Sequence, residues 1–163
     1  MTTLKQKMDP HRVEILWGTE TLPGEPTPED LESWLVSAMC LLECSASEVS
    51  VKVVSVQEMT SLNSTYRDTD AVTNVLSFEN GITDDRGVDL LGDIVICSKT
   101  VLEESERFGK TFPSRYAHLL VHGLLHLLGH DHIENDERAV MEALETSVVR
   151  QLGFDDPYEV TGR

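Results

Sequence analysis

A mixed α/β fold of the α+β kind, with a small mixed sheet of about four strands flanked by helices, is the class the sequence predicts. Three observations carry it. Strand-like and helix-like stretches alternate through residues 13–56, as they do in a parallel crossover. Two further apolar stretches, around Leu76 and Ile94, read as strands. A histidine-bearing helix that opens at Pro113 is apolar on nearly every side, which marks it as buried against the rest.

Residues 1–10 are polar and expected to be ragged. Val13, Ile15 and Trp17 then alternate as a short strand. Thr27 is a fitting N-cap, with Pro28 in the first helical position and Glu29 and Asp30 complementing the dipole of a helix to about Glu43. Leu31, Trp34, Leu35, Ala38, Met39 and Leu42 form its core face. The valine-rich run 49–56 is the next strand, and the strand, helix and strand suggest a right-handed parallel crossover. A short helix follows over 57–65. Val75, Leu76 and Phe78 form a third strand, and the turn-rich stretch 79–87 separates it from the apolar run 88–97, expected to be buried on both faces. The two are expected to pair as a hairpin with a long loop. Ser98 is placed to cap a helix ending at Gly109, with Val101, Leu102, Ser105 and Phe108 inward and Glu103 paired to Arg107 outside. Pro113 starts the histidine helix. Met141, Leu144, Val148 and Leu152 keep helical spacing up to Gly153, with Glu134, Asp136 and Glu137 favouring that helix's N-terminus. From Asp155 the tail is expected to be solvated and flexible. With no repeat or linker, residues 1–163 read as a single domain.

The histidine helix carries the chemistry. His118, His122 and His126 lie at successive i, i+4 steps and share a face. Buried imidazoles need partners, and a stripe of them suggests a metal ion; the plainer reading is a histidine-rich buried helix whose imidazoles are simply hydrogen-bonded. At ~1.5 Å rise per residue His118 and His126 stand ~12 Å apart along the axis, too far to share one ion. Gly129 ends the helix, and the returning loop brings His130 and His132 beside its last turn. The pair nearest them is His122 and His126, and a third ligand from the loop gives His122-x3-His126-x5-His132. Three protein nitrogens would leave a fourth tetrahedral position to water, the arrangement of a catalytic zinc. The metalloprotease signature places Glu directly after the first histidine; here that residue is Gly123, so the peptidase reading loses its base. His118, a turn earlier, is a candidate to shuttle a proton or hydrogen-bond a substrate oxygen, and equally a histidine that supports the ligands or packs in the core. Asp131 could orient a ligand imidazole.

His122-Gly123-Leu124-Leu125-His126-Leu127-Leu128-Gly129-His130-Asp131-His132 resembles the signature of the YbeY family of metal-dependent bacterial endoribonucleases. Leu62-Asn63-Ser64-Thr65-Tyr66-Arg67 with Thr73-Asn74-Val75-Leu76-Ser77-Phe78, and Leu91-Gly92-Asp93-Ile94-Val95-Ile96, resemble two further blocks of it in the same order. The chain departs where the family usually has Tyr at His130, which makes His130 a competitor of His132 for the ion, and also at Asn74 and Val72. The resemblance implies a zinc-dependent single-strand endoribonuclease acting in ribosomal RNA maturation, at the 3′ end of the small-subunit RNA, and in ribosome quality control. It implies one zinc per chain, single-stranded or ribosomal RNA and the small ribosomal subunit as partners, and no DNA. It also assigns a functional role to Arg67, whose planar, permanently charged fork suits a phosphate; the plainer reading of Arg67 is an ion pair with Asp68 or Asp70. Two other readings use the same residues: a metal hydrolase of another substrate class, and a ribosome-assembly protein whose zinc is structural.

Charge stands against this. Thirteen Lys and Arg face 29 Asp and Glu, a formal charge of −16, so the long-range field repels phosphates. RNA binding then requires that the few cations converge near the metal, or that a ribosomal partner delivers the RNA. Cys40, Cys44 and Cys97 cannot all pair with one another, and no secretory signal is recognisable, so a cytosolic protein is expected. Cys40 and Cys44 are expected to pack in the core. No apolar run is long enough to span a membrane.

Overall fold

The structure, a computed structural model, describes residues 10–66, 74–130 and 134–159. In chain order its elements are β1 (Arg12–Trp17), α1 (Pro28–Leu41), β2 (Ser47–Val54), α2 (Val56–Tyr66), β3 (Val75–Thr83), β4 (Asp89–Cys97), α3 (Ser98–Arg107), α4 (Phe112–Leu127) and α5 (Asn135–Gln151). The strands form one open mixed sheet in the order β1-β2-β4-β3. β1 runs parallel to β2 and β2 parallel to β4, while β3 pairs antiparallel with β4. The α+β class with a four-stranded sheet, the parallel β1-α1-β2 crossover and the β3-β4 hairpin are those the sequence predicts.

Alternation along β2 divides the core. Val49, Val51 and Val53 join Ile94 and Ile96 of β4 beneath Leu31, Leu35, Ala38 and Met39 of α1 and Leu120 and Leu124 of α4. Each of these buried side chains apart from Ala38 contributes on the order of 2 kcal/mol. Val54, Val95, Cys97 and Leu76 point to the other face, where Met59 of α2 covers them. The end of β4 is therefore buried on both faces. α1 is capped at Thr27, the N-cap the sequence suggests, and Asp30 completes a capping box: Thr27 Oγ1 accepts from Asp30 N at 3.1 Å and Asp30 Oδ2 accepts from Thr27 N at 3.0 Å.

Several expectations are corrected. β2 stops short of residue 56 because Ser55 Oγ accepts from Glu58 N at 3.1 Å, which starts α2 at Val56. The hairpin loop is short: β3 runs on to Thr83, absorbing Asn80-Gly81 as an irregularity in register, with Gly81 at φ 70°. The turn forms at Asp84, whose carboxylate accepts from the backbone of Arg86 and Val88. Ser98 does not cap α3; it is the first helical residue, and its hydroxyl bonds the Tyr116 hydroxyl at 2.8 Å. Phe108 is exposed, with the guanidinium groups of Arg107 and Arg115 over its ring, and Glu104 is buried in its place. Arg107 lies 3.9 Å from Glu104, the residue next to its expected partner Glu103. Cys44 packs half-buried against the core as expected, but Cys40 is exposed, off the buried face of α1 formed by Leu31, Leu35, Ala38 and Met39. Within the tail expected in solvent, residues 155–159 fold back onto the protein, and Lys110 Nζ donates to the carbonyls of Asp156 and Glu159.

One glycine permits the close approach of β3 and β4. Gly92 has φ 136°, and a Cβ there would stand 2.1 Å from the Phe78 carbonyl oxygen. Both the backbone angle and the overlap exclude a side chain. Gly92→Ala is expected to cost about 3 kcal/mol or more, measured as a lower urea midpoint with unchanged slope; a midpoint at the parent value would show that the hairpin relaxes freely.

Candidate metal centre

Thr111 caps α4, its hydroxyl accepting from Ser114 N at 3.1 Å, and the helix ends where Gly129, at φ 96°, returns its N–H to His126. α4 rests on β3 and β4 and is flanked by α1, α3 and α5. Gly123 makes the approach to the sheet possible. A Cβ there would lie 3.0 Å from Ile94 Cγ2 and 3.2 Å from Ser77 Oγ, and the Ser77 hydroxyl donates to the Gly123 carbonyl at 2.9 Å.

His122 and His126 are half-buried, one turn apart, while Ala117 to Val121 and Gly123 to Leu125 are buried. Their rings meet edge to face, with centroids 4.6 Å apart, and their Nε2 atoms stand 3.1 Å from each other. Two nitrogens bound to one tetrahedral zinc at ~2.0–2.1 Å are ~3.3 Å apart, so this pair fits two ligand positions with little adjustment. His132, the expected third ligand, and Asp131, the expected orienting carboxylate, lie outside the described residues, as does Arg67. Among the described residues no group of three His, Cys, Asp or Glu could hold an ion. His130 lines a cavity of ≈ 250 Å³ with Gly129, Asp136, Glu137 and Val140.

The carboxylate that orients the pair comes from α5. Glu145, 1% exposed, accepts from His122 Nδ1 on Oε2 at 2.8 Å and from His118 Nε2 on Oε1 at 2.6 Å. Burial alone would raise its pKa, but the hydrogen bonds from His118 and His122 outweigh this and hold it well below the usual carboxylate range. His118 is itself 6% exposed, and desolvation lowers its pKa despite the carboxylate beside it. Its other nitrogen faces Arg115 Nη1 at 3.4 Å. Arg115 is held in turn by buried Glu104, at 2.7 and 3.1 Å, and the Asn74 amide donates to the same oxygen at 2.6 Å. His118 thus joins the site through Glu145, with both ring nitrogens engaged.

The spacing of the histidines signals the pair but not its carboxylate. A signal was present: Glu145 falls four residues after Met141 and three before Val148, within the apolar stripe of α5 where a charged residue is out of place. Glu104 interrupts the buried side of α3 in the same way.

Fold and site together define an α+β protein in which a histidine pair on a buried helix is backed by a buried carboxylate. The sequence profile of the family described as endoribonuclease YbeY matches residues 24–153. A Cellvibrio japonicus (strain Ueda107) protein named endoribonuclease YbeY is 42% identical over 147 residues, 90% of this chain and 81% of its own length. The solution structure of TM1509 from Thermotoga maritima superposes with a TM-score of 0.57 at 25% identity, covering 89% of this chain and 99% of that one. The chain belongs to the YbeY family of endoribonucleases.

Arg115 neutralises a carboxylate whose side chain is 4% exposed. Arg115→Met is expected to destabilise the protein by about 2–4 kcal/mol, somewhat less than a fully buried pair because Arg115 retains contact with water. Chemical denaturation checks this. The double variant with Glu104→Gln should recover part of the loss, and failure to recover any would deny the pairing its role.

Proposed function

We propose that this protein is a zinc-dependent endoribonuclease that cuts single-stranded RNA in the cytoplasm during maturation of the 3′ end of the small-subunit ribosomal RNA, and that it serves ribosome quality control. Family membership supports the endoribonuclease activity. The observation that carries the zinc reading is the convergence of His122 and His126 Nε2 at 3.1 Å, with Glu145 bound to the far side of His122.

His122 and His126 would hold the ion with His132 as third ligand. When bound, zinc supplies Lewis-acid stabilisation of charge on the scissile phosphate. Arg67 contributes a second, permanent positive charge, whose fork meets two phosphate oxygens at once. Glu145 keeps the His122 ring in place by accepting its Nδ1–H. Burial of His118, with Glu145 and Arg115 on its nitrogens, favours an orienting role over proton transfer with substrate. Water is then the attacking species, since His118, the base candidate on this helix apart from the two proposed ligands, is buried with both nitrogens engaged. At a net charge of −16 the protein does not gather RNA by long-range attraction, so the small subunit presents the strand.

Elemental analysis after dialysis should find one zinc per chain, and His126→Ala should lose it; full retention of metal by that variant would remove the assignment. Arg67→Ala should keep circular dichroism and metal content while slowing RNA cleavage by about 10²–10³-fold. Cleavage at the parent rate would return Arg67 to an ordinary surface residue. A 2′-deoxy substitution at a mapped cut site should leave cleavage there intact. Loss of cleavage with unchanged binding, together with cyclic phosphate ends on the all-ribose strand, would instead make the 2′-hydroxyl the attacking group. A zinc-loaded protein that leaves ribosomal RNA whole would point to a structural ion in an assembly protein.

A further inference from the structure

The tail that folds back reaches the centre. Asp156 and Glu159 close a turn, with Glu159 N donating to the Asp156 carbonyl at 3.1 Å and Asp156 Oδ1 accepting from Tyr158 N at 2.8 Å. Lys110, between α3 and α4, fastens this turn by donating to the carbonyls of Asp156 and Glu159. The turn carries Tyr158 onto α4, where its ring meets His118 edge-on at 5.2 Å between centroids. Although Tyr158 is 44% exposed overall, its hydroxyl donates to Glu145 Oε1 at 2.5 Å.

Donor and acceptor roles along this network follow from chemistry. Arg115 can only donate, so His118 Nδ1 accepts and His118 Nε2 carries the hydrogen given to Glu145. The two oxygens of the Glu145 carboxylate face three groups that can each donate, so the hydroxyl of Tyr158 and Nδ1 of His122 are both donors to it. Burial, and then the neighbouring Glu145, push the Tyr158 hydroxyl pKa far up, which keeps it a donor. The two histidine donors sit one turn apart on the same helix. Tyr158 is the donor that binds the carboxylate from outside α4, and it shares Oε1 with His118, leaving Oε2 to His122. With Nδ1 protonated, His122 directs its Nε2 lone pair toward His126.

We infer that Tyr158 is a positioning residue of the histidine centre, which by holding Glu145 Oε1 keeps Oε2 on His122 and so fixes His122 as the Nδ1–H tautomer with Nε2 turned to His126. Where this bears on an ion at the pair it rests on the function proposed above; the tautomer does not depend on that reading.

The test uses the full chain, with Tyr158→Phe removing the hydroxyl while keeping the ring and Glu145→Gln as the stronger lesion. Long-range nitrogen–proton correlation spectra of the metal-free protein report the His122 tautomer, and competition with a chromophoric chelator reports zinc affinity. The parent should show His122 as Nδ1–H. Tyr158→Phe should shift part of the population to Nε2–H and weaken zinc by about tenfold, with Glu145→Gln weakening it further toward a hundredfold. Far-UV circular dichroism should not change. Parent tautomer populations in Tyr158→Phe overturn the inference, even if the thermal midpoint falls, because a purely structural role lowers stability without moving the proton. If the parent protein binds no zinc, the proposed function fails and the tautomer spectra alone decide the role of Tyr158.

Discussion

A carboxylate sealed from water determines how the last third of this protein is assembled. Removing Glu145 from solvent costs several kcal/mol unless its lone pairs are met. Three donors meet them: two from α4 and one from the turn after α5. α4, α5 and the C-terminal turn must therefore register with one another to within hydrogen-bonding distance, or a charge is stranded. Glu104 makes a smaller claim on α3, the start of β3 and α4 through Arg115 and Asn74. His118 stands between these two buried charges, and the histidine pair follows beyond Glu145 on the same helix.

Much of the fold was legible because local rules and tertiary packing agree. Thr27, Pro28 and Asp30 announce α1, and alternation of valines announces β2, in terms that the sheet and core then use directly. The failures fall where a local signal met a stronger tertiary one. Asn80-Gly81 reads as a turn, yet pairing with β4 carries β3 past it and the glycine takes up the irregularity. Ser98 reads as a cap, yet the buried Tyr116 hydroxyl claims it. Phe108 reads as core, yet α3 turns Glu104 inward to meet Arg115, and the aromatic ring is left beneath two guanidinium groups.

The same contrast divides the site. Helical spacing suffices to bring His122 and His126 together, since both lie on one element and their separation follows from its pitch. Their carboxylate partner is 23 residues from His122 in the chain and Tyr158 is 13 beyond Glu145, so no local pattern ties them to the pair. A buried glutamate also looks, in sequence, like one of many acids in a strongly acidic protein. Only its place within the apolar stripe of α5 distinguishes it, and that stripe is short enough to be read as solvated. His132 and Arg67 rest on motif and charge alone, because the segments that carry them lie outside the described residues.

Gly123 ties the architecture to the reaction in a way that constrains how such a protein can change. The missing side chain lets α4 settle against Ile94 and Ser77. That same position is where a zinc peptidase keeps its catalytic glutamate. A side chain installed there would need Ile94 and Ser77 to give way, because their side chains already stand 3.0 and 3.2 Å from where its Cβ would lie. Close packing at one residue thus disfavours a side chain at the position that distinguishes the two motifs, while the histidine spacing they share is untouched.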